Sequence, residues 1–145
     1  MHWREGQHSP NGNDAVGERY YIAVSLLEAW IAKAEADYKS AVALQRRRKE
    51  PLPDIVCYHC QQGVEKYLKV YLIAQGSTPP RIHDLEDLLN LCALYDAALT
   101  ARLPLVHVCN PYGVLIRYPG MTAPVAERRR RYTPCVACVP SCGAH

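Results

Sequence analysis

At 145 residues the chain has room for one domain with a real core and too little for two of ordinary size. A hydrophobic share of 49% with a charged share of 21% excludes the disordered and fibrous classes, and no apolar run approaches the roughly 20 residues of a membrane span. The formal charge of +3 arises entirely in residues 121–145: residues 1–120 carry 13 Lys+Arg against 13 Asp+Glu, and the excess is "RRRR" at 128–131. That run has no interleaved aromatics, so it reads as solvated charge rather than a nucleic-acid groove.

The N-terminal "MHWREGQHSPNGNDAVGER" is polar and has no apolar h-region, so it is not a secretory signal. Without export, a cytoplasmic setting is expected, with the seven cysteines as thiols rather than a disulfide framework. Residues 1–18, rich in Gly, Asn and Ser, read as a flexible leader. From Glu18, Ile22, Leu26, Trp30, Ala34, Tyr38 and Ala41 recur at spacings of four and three, which predicts a long amphipathic helix. "EPLP" ends it, because Pro51 and Pro53 remove donors and push the residues before them out of the helical region.

A second helix is predicted from a cap at Asp54 to about Gln75, with Gly76 as its stop. A third restarts in "HDLEDLLNLCALYDAAL", with Asp84 at the N-cap and Asp87 three residues on as a variant capping box. Pro104 and Asn110-Pro111 break the chain again, leaving a short helix and then "YGVLIRYPG". No strand alternation, internal repeat or phosphate-binding glycine loop occurs. The expected fold is therefore all-α, an antiparallel up-and-down bundle of four to five helices over residues 19–120. Beyond Gly120 the composition turns to an atypical Arg/Pro/Cys-rich tail, 121–145, and from about Glu127 it has the character of a non-native ending such as a shifted reading frame produces.

Chemistry-bearing residues concentrate in "CYHCQQGVEKYLKVYLIAQGSTPPRIHDLEDLL", Cys57 to Leu89. "CYHC" and "CVAC" are both C-x-x-C pairs, but the first lies in a helix rather than on a tight turn and the second is far away in sequence, so neither a zinc site nor any other metal or cofactor is expected. Cys60 reads as a small core residue, with Cys57 near the same face. Glu65, Lys66 and Lys69 fall within about one turn, and Glu65 to Lys69 is the favourable i to i+4 order of a solvated face. Gln61 and Gln62 beside Gly63 make a small polar patch in an apolar helix, which suits close helix contact or a polar groove. His83 precedes the third helix's cap and is also able to act in acid-base work. Arg102 and His107 stand five apart in "RLPLVH" with Pro104 between them, and Arg117-Tyr118 sets a guanidinium beside a ring, suited to a phosphate and a base or to capping the bundle.

In this order, "CYHCQQGVEKYLKVYLIAQG", "HDLEDLL" and "NPYGVLIRYPG" resemble the HEPN domain family, over about residues 25–120. The resemblance implies a helical bundle, often dimeric, frequently paired with a minimal nucleotidyltransferase in a toxin-antitoxin-like system. Some members are metal-independent ribonucleases that use an Arg and a His with four to six residues between them, a spacing matched here only by Arg102 and His107. Two functions stand beside each other. One is a nucleotide- or RNA-associated partner of a nucleotidyltransferase, a homodimer with a groove lined by Gln62, Lys66, Lys69, His83, Arg117 and Tyr118. The other is a ribonuclease with His107 as acid-base and Arg102 on the developing phosphorane charge. A helical scaffold with no ligand is the third reading.

Overall fold

The computed structural model of the chain describes residues 12–114 and 118–120. Four α-helices run in order: α1 Gly12–Gln45, α2 Pro53–Ala74, α3 Leu85–Ala93 and α4 Leu103–Cys109; 3-10 turns cover Ala97–Arg102 and Asn110–Gly113. Arg117 and the tail from residue 121 lie outside the described residues, as does the leader up to residue 11.

Helices α1 and α2 form the central pair, and their partners give the direction. Trp30 meets Lys69, Glu35 meets Tyr67, and Asp37 meets His59 and Lys66, so advance along one helix is retreat along the other. That is an antiparallel hairpin, as the seven residues between Gln45 and Pro53 require. On α2 the core stripe is Val56, Cys60, Val64, Leu68 and Leu72, a strict spacing of four. Against it pack Ala34 and Ala41 from α1, Leu85, Leu88, Leu89 and Cys92 from α3, then Leu99, Val106 and Cys109.

Polar contacts fix the register between the two long helices. Asp37, with 15% of its side chain exposed, accepts from His59 Nδ1 at 2.9 Å and from Lys66 Nζ. Tyr67 Oη donates to Glu35 Oε1 at 3.2 Å, and burial together with that carboxylate pushes its pKa up to about 12.

Several boundaries differ from the sequence reading, each for a local reason. α1 starts at Gly12, inside the stretch 1–18 expected as a flexible leader. Its apolar stripe is buried only from the middle on: Ala34 and Ala41 are fully covered, but Ile22 and Leu26 remain 59% and 48% exposed, because α1 outruns the shorter α2. Asp54 does not cap α2; Pro53 opens the helix, Leu52 holds the cap position and Asp54 lies in the first turn. Gly76, at φ 81°, ends α2 as expected.

Asp84 caps α3, its side chain accepting from Asp87 N at 3.0 Å. The continuous helix predicted through "LYDAAL" stops instead at Ala93, since Asp96 accepts from Ala98 N and starts a new turn. Pro104 does not break a helix but begins α4, at a position whose N–H would have no partner in any case.

Candidate functional site

A cleft of about 570 Å³ opens where the middle of α2 faces the start of α3 and the turn after α4. α2 supplies Gln61, Gln62 and Glu65; the α3 approach supplies His83 and Asp84; the last turn supplies Asn110, Pro111, Gly113 and Val114. Three chain segments distant in sequence therefore meet at this cleft.

The floor is built by Gln61 and Glu65, both buried. Gln61 Nε2 donates to the His83 carbonyl at 3.3 Å, and Gln62 Nε2 donates to Gln61 Oε1 at 2.8 Å. Such buried amides are stable only because they are paired. The Gln61 amide lies flat against Gly113: a Cβ there would stand 2.7–2.8 Å from its Cδ, Nε2 and Oε1, so a glycine is what lets the turn close on α2. The close contact suggested by the polar patch is thus made by Gln61.

Glu65 is the electrostatic centre. Its Oε1 accepts from Lys69 Nζ and from His83 Nδ1, both at 2.9 Å, while Oε2 is buried and without a hydrogen-bond partner. A carboxylate only accepts, so His83 carries a proton on Nδ1 and presents Nε2 outward from a side chain that is 77% exposed. Beside it Asn110 Oδ1 accepts from Leu85 N at 2.8 Å, and its Nδ2 donates to Asp84 Oδ2 at 2.9 Å. The Asn110 hydrogen bond, then the Asp87 amide, hold the Asp84 carboxyl below the usual range.

Of the residues expected to bind ligand, the cleft brings together Gln62 and His83. Lys66 points to Asp37 of α1 and also donates to Gln62 Oε1 at 3.3 Å; it does not line the cleft. Lys69 lies beneath, 6% exposed, between Glu65 and the ring of Trp30, 5.7 Å from its centroid. Tyr118 is 63% exposed, and Arg117 falls outside the described residues. Glu65 and Asn110 were not foreseen as cleft residues; Gln61 was singled out in the polar patch but not among the ligand-binding residues.

Arg102 and His107 form no hydrogen bond with each other; His107 pairs with Glu86 instead. Arg102 is the N-cap residue of α4 and His107 lies in its last turn; five residues at about 100° each place two side chains roughly 140° apart around a helix. His107 is 79% exposed and its Nδ1 is engaged with Glu86. Among the described residues no cluster of three or more His, Cys, Asp or Glu is arranged to hold a metal, and no helix is long and apolar enough to cross a membrane.

No curated protein and no solved structure matches the chain. A sequence model of the HEPN domain does, over residues 27–140, a span that takes in α2, α3, α4 and the cleft and continues past Gly120, where the bundle was expected to end. The chain belongs to the HEPN domain family, a membership that supports a nucleotide- or RNA-associated function.

Proposed function

We propose that the protein is a nucleotide- or RNA-associated HEPN bundle that acts as the partner of a minimal nucleotidyltransferase in a toxin-antitoxin-like pair, with its ligand site at the cleft between α2, His83-Asp84 and Asn110–Val114. The supporting observation is the convergence there of buried Gln61 and Glu65 with the reachable Gln62 and His83, in a volume of about 570 Å³. That size encloses a small ligand of nucleotide dimensions.

The experiment is calorimetric titration of the purified chain with nucleoside monophosphates and short RNA, together with co-purification from cells that also express a nucleotidyltransferase encoded beside it. Binding abolished in Gln62→Ala supports the reading; a folded chain that binds none of them returns the protein to a helical scaffold. The ribonuclease reading is tested in parallel by cleavage of a mixed RNA pool in EDTA. The partner reading predicts no cleavage, and cleavage lost in His107→Ala would overturn it. The protein is also read as a homodimer, supported by exposed Tyr20, Tyr21, Ile22 and Leu26 on α1. Light scattering that returned a single 16.3 kDa chain at high concentration would refute that.

A further inference from the structure

Two side-chain amides that line the cleft, Gln62 on α2 and Asn110 on the last turn, are each held in one orientation by their partners. Gln62 Oε1 accepts from Lys66 Nζ at 3.3 Å, and its Nε2 donates to Gln61 Oε1 at 2.8 Å. An ammonium has hydrogens and no acceptor, so Lys66, itself anchored by Asp37, admits only the oxygen of that amide. From the far end the His83 carbonyl, which only accepts, takes a Gln61 Nε2 hydrogen at 3.3 Å and so turns Gln61 Oε1 toward Gln62. Both ends of the chain demand the same polarity. Asn110 is fixed in the same manner: its Oδ1 accepts from Leu85 N at 2.8 Å, a group that only donates, and its Nδ2 donates to the Asp84 carboxylate at 2.9 Å.

The partners at the two ends of each amide lie in different places. Lys66 and Leu85, which take the oxygens, do not line the cleft; Gln61 and Asp84, which take the nitrogens, do. Each NH2 group has two hydrogens and spends one of them on its wall partner. We infer that the cleft meets its ligand with the second amide hydrogens of Gln62 and Asn110, and that an acceptor oxygen of the ligand binds to them. The inference rests on the nucleotide-associated reading above and specifies which kind of group on the nucleotide is read. A nucleotide carries such an oxygen in two places, on a base carbonyl and on a phosphate, and amide donors suit both.

The test titrates the full-length chain with ligand pairs that differ in their oxygens: inosine against purine riboside for the base carbonyl, and adenosine monophosphate against adenosine for the phosphate. Adenosine against purine riboside is the control, since it adds an amino group and no oxygen. The oxygen-bearing member should bind more tightly in at least one pair, by about fivefold for the carbonyl or about tenfold or more for the phosphate, and the pair that responds identifies the source. The control pair should differ by less than about twofold. Gln62→Met, close in shape and without an amide, should remove most of that preference while the melting temperature stays that of the parent. Nitrogen-15 spectra of the parent supply a reading that needs no variant: the side-chain NH2 signals of Gln62 and Asn110 should move as the preferred ligand is added. Equal binding within both oxygen pairs, a preference for the added amino group alone, a full oxygen preference in folded Gln62→Met, or NH2 signals that stay still at saturation would each overturn the inference. Those results leave the nucleotide-associated reading standing, because a nucleoside or nucleotide still binds. A folded chain that binds none of these ligands would end both.

Discussion

Replacing Gly113 by Ala asks whether the turn after α4 is closed directly on α2. The added methyl would lie 2.7 Å from Gln61 Cδ and Nε2 and 2.8 Å from Oε1, distances at which something must move. Gln61 has little freedom to do so, being 2% exposed and tied to the His83 carbonyl and to Gln62. Overpacking of this kind costs about 1–3 kcal/mol, and each amide hydrogen bond surrendered adds about 1 kcal/mol. Gly113 is not among the positive-φ glycines, so Ala also recovers about 0.5–1 kcal/mol by restricting the unfolded chain. The net expectation is a loss of about 2 kcal/mol, or roughly 8 °C in melting temperature for a bundle of this size. Thermal unfolding followed by circular dichroism reads it directly. Gln61→Ala supplies the second arm, because it removes the clashing amide; in the double variant the two losses should overlap by about 1 kcal/mol or more instead of adding. A Gly113→Ala protein that melts within about 2 °C of the parent, or an additive cycle, would show that the contact is not what holds the turn.

Lys69→Met leaves the Glu65 carboxylate buried without its cation and should cost about 3 kcal/mol in urea denaturation, much of it restored by adding Glu65→Gln. Burial pushes the Cys92 thiol up to about 12. It should therefore resist iodoacetamide at pH 8 unless the protein unfolds, and its contribution to stability should be flat below pH 9 and fall toward pH 12, because the unfolded chain ionises first. Asp84→Ala removes the α3 cap and should cost about 1 kcal/mol by chemical denaturation. The lowered Asp84 pKa adds stability that is present above about pH 4 and lost as pH falls through the folded value, so Asp84→Asn should flatten part of the acid limb of a stability-pH curve.

The helices were legible where a local rule and the tertiary packing agree. Gly76 ends α2, Asp84 caps α3, and Cys60, read as a small core residue, lies in the buried core. The rest depended on information that periodicity does not carry. The sequence "LYDAAL" continues a helical period, and only the competing Asp96 cap ends it. Glu65 and Lys69 have the spacing of an exposed ion pair, yet α1 and the α3 approach cover both, which turns an ordinary surface motif into a buried centre. Gln62 and His83 could be singled out as polar residues in unusual company. Asn110, 25 residues beyond Leu85, enters the cleft through a long-range hydrogen bond that no local pattern announces.

The overhang of α1 gives the molecule an uneven kinetic character. The family match begins at residue 27, close to where α1 meets α2 through Trp30, and the preceding turns carry Tyr20, Tyr21, Ile22 and Leu26 in contact mainly with water. Residues 12–26 extend about 20 Å along the axis, a length at which an isolated helix is barely stable by itself. In the single chain their amide protons should therefore exchange with solvent on the timescale of fraying, while those around Ala34 and Ala41 await opening of the whole bundle. One uninterrupted helix would then contain both some of the shortest-lived and some of the longest-lived hydrogen bonds in the protein, with the change falling near Trp30.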